Sequence, residues 1–186
     1  METNTNALVP RSIGYKHMLF YKKSVVVYDL TYLFCNRYID KRDRTYDQMV
    51  QAARSGKQNI VEGYVDGATS MEMCLKLLNT ARGSLMELLE DYQDYLRTRG
   101  LKQWENNGVE REAMRRIERE NRDFSLYIKM AQTRNDEVIA NMAIALIEDT
   151  ENLLYKYIQR KSEDFLKQGG FKEKLTRERL KVRNRR

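Results

Sequence analysis

Proline occurs once in 186 residues, histidine once, cysteine twice and glycine only 9 times. A single proline leaves little to interrupt helices, and so few glycines leave too few turns for a many-stranded sheet. Two cysteines, Cys35 and Cys74, cannot make a disulfide framework. With the lone His17 they also fall short of the roughly four ligands of a structural zinc site. No apolar run approaches the ~18 residues that span a bilayer, so no membrane association is expected. The opening METNTNALVPRS has no apolar signal core, so no secretion signal is expected and the cysteines read as reduced thiols of a cytoplasmic protein. Its LVPRS resembles a protease-site scar, but no His-tag precedes it and we read it as native sequence.

Catalytic groupings are equally scarce. His17 stands alone near a helix start. The segment RSGKQN at 54–59 lacks the spacing of a phosphate-binding loop and lies inside a helical pattern rather than after a strand. Glu87, Glu90 and Asp91 sit close together, but the inward Glu-x-x-His pairs of di-metal bundle sites are missing, so they read as a solvated acidic face. The chain is therefore expected to be non-enzymatic, with no catalytic, cofactor-binding or metal-binding residues.

Charge is plentiful: 34 Lys/Arg against 27 Asp/Glu, a net +7. It is unevenly placed. Residues 171–186 hold eight basic side chains (Lys172, Lys174, Arg177, Arg179, Lys181, Arg183, Arg185 and Arg186) and two glutamates, a charge of +6. The other 170 residues are left at +1. Any attraction to nucleic acid starts from this tail.

Helical spacing runs through most of the chain. A flexible lead-in is expected over 1–14, where Pro10 and Gly14 disfavour a helix. A first helix runs from about Tyr15 or His17 to Asp40, with Val26, Leu30, Leu33 and Tyr38 as its stripe, broadened by Val27 and Phe34. A second starts near Arg44 or Thr45, with Thr45 and Gln48 as a capping box. Its face is Met49, Ala53, Gly56 and Ile60, and it ends at Gly63 as a left-handed stop. Thr69 or Ser70 caps a third helix, whose seam of Leu75, Leu78, Leu85, Leu89, Tyr92 and Leu96 is broken at Arg82; Gly100 ends it. Residues 101–134 read as an exposed helix followed by an irregular segment. A fourth long helix runs from about Asp136 to Lys167 with Ile139, Ala143, Leu146, Thr150, Leu153 and Tyr157 as its seam. Gly169-Gly170 stop it. The expected fold is all-α: an antiparallel four-helix bundle over 15–168, with a helical insertion between the third and fourth long helices and a basic tail over 169–186. The tail has too few apolar residues to fold alone and is expected to be mobile.

Two segments carry a resemblance. QMVQAARSGKQNIVEG at 48–63 resembles the pattern QxxRAAxSIxxNIAEG of the small four-helix-bundle proteins encoded within intervening sequences of bacterial large-subunit ribosomal RNA genes. ARGSLMELLEDY at 81–92 resembles that family's AxGSLxELE segment. The positions that carry the match are Ala53, Gly56, Asn59, Glu62, Gly63, Ala81, Gly83 and Ser84. The chain is also similar to the accessory variability determinant protein of diversity-generating retroelements. Over about residues 9–176 it looks closest to the "four helix bundle suffix domain" subgroup, through VPRSIGYKHML, NDEVIANMAIALIEDTENLL and FLKQGGFKEKL. The resemblance implies a homo-oligomer, typically a pentameric ring, and for the retroelement relative binding to nucleic acid and to a reverse transcriptase through a basic outer surface. The nearly neutral body of this chain departs from that last pattern.

From the residues themselves, Ala52, Ala53, Gly56, Ala81 and Gly83 are expected to let helices approach closely. Asn59 and Glu62 would each need a partner if enclosed, with Arg82 the candidate for Glu62. The tyrosines on the helices (Tyr28, Tyr32, Tyr38, Tyr92, Tyr95, Tyr155 and Tyr157) read as core-edge residues with hydroxyls reaching water. Two functions stand side by side. One is an accessory factor that binds RNA or DNA through the tail without sequence preference. The other is a scaffold that docks a protein such as a reverse transcriptase, through the charged stretch at 105–123.

Overall fold

The computed structural model describes residues 14–120 and 124–183, and among them every regular element is a helix. A 3₁₀ turn, Gly14–His17, leads into α1 (Leu19–Tyr38), α2 (Arg44–Asp66) and α3 (Met71–Thr98). Two shorter helices follow, α4 (Val109–Glu120) and α5 (Ser125–Gln132), then the longest, α6 (Asp136–Gln168), and finally α7 (Phe171–Arg183). None of these helices is long and apolar enough to cross a membrane. The expected lead-in lies outside the described residues except for Gly14, which is part of the 3₁₀ turn.

Helix ends follow local chemistry. Asp43, not Thr45, caps α2: its carboxylate accepts the Thr45 N–H at 2.9 Å, and Thr45, two residues further on, already lies inside the helix. Ser70 caps α3 through the Met73 N–H (3.2 Å), and Asn135 caps α6 through the Val138 N–H (3.1 Å). Gly100 (φ 64°) and Gly169 (φ 75°) take the left-handed backbone expected of them. Gly63 does not: α2 runs three residues past it to Asp66, and Gly63 is buried inside the helix. Its purpose is proximity. A Cβ there would sit 3.1 Å from Leu78 Cγ and 3.2 Å from the Cys74 carbonyl oxygen, and one at Gly56 would meet Leu85 at 3.2 Å.

Each long helix packs on two others: α1 on α2 and α6, and α3 on α2 and α6. Side-chain contacts fix the directions. Cys35 meets Met49 and Lys57 lies over Tyr28, so α2 returns along α1. Gly56 abuts Leu85 and Gly63 abuts Leu78, with Ser84 donating to Ser55 (3.0 Å), so α3 returns along α2. Arg82 reaches Glu151 and Tyr95 donates to Asp136, so α6 returns along α3. The core enclosed by the four is aliphatic on α3 and α6 and aromatic at Phe20, Phe34, Tyr92 and Tyr95. Tyr92 departs from the core-edge expectation. It is wholly buried, and its hydroxyl bonds Thr31 Oγ1 at 3.1 Å inside the core instead of reaching water.

Residues 139–147 of α6 are all buried, although a helix in a two-sided contact normally leaves one face wet. The segment between α3 and α6 supplies the cover. Residues 101–105 cross α6 without regular secondary structure, held by Asn141. Its amide oxygen accepts the Trp104 N–H (2.7 Å), and its nitrogen donates to the carbonyls of Lys102 (2.8 Å) and Glu137 (2.9 Å). α4 then packs on α6 and α5 on α1. The stretch read from sequence as irregular thus includes a second helix, α5, which buries Tyr127 and Ala131. Its apolar positions are too few for a period to stand out in eight residues.

Asn141→Ala should lower stability by about 2 kcal/mol, since it leaves part-buried backbone groups at Trp104 and Lys102 without their partner; urea denaturation measures this. Alkali provides a second test. Burial pushes the Cys35 thiol from its ordinary 9.0 up to about 12, with Asp91 adding to the rise, and burial raises Cys74 and Tyr92 in the same direction. Below pH 9 these groups are protonated folded and unfolded alike. As pH climbs from 9 toward 12 the unfolded chain loses their protons first. Melting temperature should therefore hold level to about pH 9 and fall steadily above it.

Candidate nucleic-acid interface

The basic tail is helical over Phe171–Arg183, where its few apolar residues predict no folded element. α6 ends where the Gly169 N–H bonds the Phe165 carbonyl (2.9 Å), and the Glu173 carboxylate accepts the Gly170 N–H at 2.9 Å, closing the first turn of α7. Glu173 in the first turn and Lys181 and Arg183 in the last complement the helix dipole. Those local terms outweigh the shortage of core. α7 shares no extensive contact with α1–α6. Helical register places Phe171 and Leu175 on one line, Arg179 and Arg183 to one side of it, and Arg177 and Lys181 to the other. Lys172 and Lys174 also lie on α7, while Arg185 and Arg186 fall outside the described residues.

Some cations of the body have other duties. Arg37 donates to the carbonyls of Ala131 (2.9 Å) and Gln132 (3.1 Å), satisfying the end of α5. Arg42 pairs with Asp40 at 3.2 Å. Arg44 lines a groove beside Asp47. Of the cations at 37–44, Arg37 and Arg42 are thus engaged inside the chain.

The positions that carry the sequence resemblance divide. Ala53, Gly56, Gly63 and Ala81 are buried where α2 and α3 meet. Ser84 and Asn59 converge on Ser55: Asn59 donates to the Ser55 carbonyl (2.9 Å) and hydroxyl (3.1 Å), and Ser84 to the same hydroxyl (3.0 Å). This polar seam forms part of the floor of an open groove of about 760 Å³ between α2 and α3. Gly83 faces outward, and a Cβ there would meet nothing within 4 Å, so close packing inside this chain does not explain it. Glu62 is exposed and needs no buried partner. Arg82 instead pairs with Glu151, its Nε 2.7 Å from the carboxylate, while its guanidinium lies over Tyr155.

Sequence reasoning missed a buried charge cluster. Lys23 is 2% exposed, with Glu118 at 2.6 Å and Asp149 at 3.3 Å. Beside it the buried Arg111 pairs with Glu148 and with Asn106. A space of about 10 Å³ lined by Arg111, Glu118, Tyr127 and Asp149 has room for one water and no larger ligand. These ion pairs tie α4 to α1 and α6. Among the described residues no three His, Cys, Asp or Glu side chains gather as a metal site, and both cysteines are buried free thiols. A lysine between Phe20 and Val26 follows the helical period of the core; that spacing was the available signal.

Lys23→Ala leaves Glu118 and Asp149 without their cation, and partial exposure of both carboxylates puts the loss at about 3 kcal/mol. Because α4 is held mainly by these pairs, limited proteolysis of the variant should cut first within 109–120.

Comparison of the chain with protein-family models, with curated proteins and with solved structures finds no match in any of the three.

Proposed function

We propose that this chain is a non-enzymatic protein that binds RNA or DNA through its C-terminal basic helix, without reading sequence. The observation that carries the proposal is α7: six Lys/Arg and two Glu on a 13-residue helix, set off from the body by Gly169-Gly170. Within the body, Arg37, Arg42, Arg82 and Arg111 are each engaged with carbonyls or carboxylates. A helix with cations on two flanks suits a phosphate backbone, where binding is driven by counterion release and carries little base preference.

The same reading takes α1, α2, α3 and α6 as an antiparallel four-helix bundle, with α4 and α5 as its insertion. The sequence resemblance supports assembly into a cytoplasmic homo-oligomer, with a pentamer favoured. Several copies of α7 in one particle would convert weak phosphate contacts into useful avidity. A docking role toward a protein such as a reverse transcriptase draws on a different surface, the outward face of α4, where Glu110, Glu112, Arg115, Arg116 and Arg119 are exposed around an 83%-exposed Val109.

Truncation after Gly170 should leave the circular dichroism spectrum helical and remove most nucleic-acid binding. Log–log plots of affinity against salt for the full chain should lose about 0.9 in slope for every phosphate contact removed. Truncated protein that binds duplex or single strands as tightly as the full chain at equal salt refutes the assignment. Light scattering gives the assembly: a mass near the 22.2 kDa of one chain at micromolar concentration contradicts an oligomer.

A further inference from the structure

We propose that the groove between α2 and α3 is the seat of the basic C-terminal helix of a second copy of this chain. The groove carries carboxylates on both rims: Asp47 on α2, and Glu87 and Asp91 on α3, with Arg44 as the only cation among its lining residues. Its floor is small, Ala52 with the hydrogen-bonded pair Ser55 and Ser84, so a helix can lie close. α7 is the complement in shape and charge. Helical register runs a line through Phe171, Leu175, Glu178 and Val182, with Arg179 and Arg183 on one flank and Arg177 and Lys181 on the other, and six Lys/Arg against two Glu leave the helix strongly basic. Glu87 and Asp91 are four residues apart, as are Arg179 and Arg183, so two helices laid side by side present both pairs at one pitch of about 6 Å.

Two further observations favour an occupant. Gly83 stands in the middle of α3 beside this face, where glycine costs a helix about 1 kcal/mol relative to alanine. Among the described residues, nothing beyond its own helix backbone and chain neighbours lies within 4 Å of its missing side chain. Crowding also acts on the carboxylates: partial burial, then Asp94 and Glu87, hold the Asp91 carboxyl above its ordinary range. A guanidinium on that rim relieves the repulsion.

The occupant comes from another copy because the chain's own helix cannot reach. The pairs Arg82–Glu151 and Tyr95–Asp136 fix the level of α6 against α3. At about 1.5 Å per residue, Gln168 stands roughly 35 Å beyond the level of Glu87, whereas α7 is about 20 Å long. Folded straight back at Gly169-Gly170, the helix stops short of the acidic rim.

Charge exchange in the full-length chain tests this, with circular dichroism confirming that each variant is helical. At about 0.05 M salt the wild-type chain should associate, and this contact should weaken toward about 0.5 M. E87K/D91K, and separately R179E/R183E, should each raise the dissociation constant at least about tenfold by sedimentation velocity. Glu87→Lys alone, at an exposed position, should show part of the same loss. Mixing the two double variants, or combining all four substitutions in one chain, should restore association. A wild-type chain that stays monomeric, double variants that associate like wild type, or a mixture that fails to recover each overturn the proposal; the first leaves the groove to some other occupant. The contact does not rest on nucleic-acid binding. R179E/R183E should weaken both activities, whereas E87K/D91K, which keeps every α7 cation, should retain binding to a single-stranded oligonucleotide short enough to be held by one chain, so failure of one reading is separable from failure of the other.

Discussion

The middle of α6 has to be covered on every side. Residues 139–147 are buried without a break, and α1 and α3 can shield only the two faces they touch. The outward face must be closed by something else, and the segment between α3 and α6 exists in its observed form to do so. Its non-helical part crosses α6 because Asn141 answers the backbone groups that such a strap would otherwise bury unpaired. One amide therefore permits an otherwise apolar helix to carry non-helical backbone on its surface.

The rest of that cover is held by charge instead of apolar area. α4 buries only Met114 and Arg111, too little to dock a 12-residue helix by hydrophobic contact. Lys23 and Arg111 compensate by meeting Glu118, Asp149 and Glu148 under partial shelter from water. Such pairs return little net energy after desolvation, yet breaking one partner is costly. They specify where α4 sits more than they stabilise the fold as a whole. The charged residues of α4 are thus split between an inner face that fastens, Arg111 and Glu118, and an outer face that stays wet.

Much of this was legible in the sequence where one face of a helix meets one partner. Met49, Ala53, Gly56 and Ile60 on α2, and Leu78, Leu85, Leu89, Tyr92 and Leu96 on α3, are buried as their spacing requires. On α1 the stripe was only partly right. Leu33 and Tyr38 are half-buried, while Thr31 and Cys35 lie inside, because α1 faces both α2 and α6 and its core face is wider than one stripe. Gly63 misled for a physical reason: glycine serves both helix ends and close crossings, and sequence does not say which. Lys23 and Asn141 were invisible because their partners lie 126 and about 38 residues away. The tail was legible as charge but not as a helix, since its order rests on Glu173 and the dipole, not on a core.

The same strap has a consequence for the nascent chain. α3 is complete at residue 98, but α6 begins only at 136 and its last deeply buried residue is Ile158. At about 5–20 residues per second, the ribosome leaves several seconds between the appearance of the first three helices and the arrival of the fourth long one. During that interval Leu30, Phe34, Leu85 and Tyr92 have no α6 to cover them, and the three-helix intermediate presents a wet apolar trough to its surroundings. A protein arranged this way has an extended period of vulnerability to chaperone capture or to pairing with a neighbouring nascent chain before its own final helix is made.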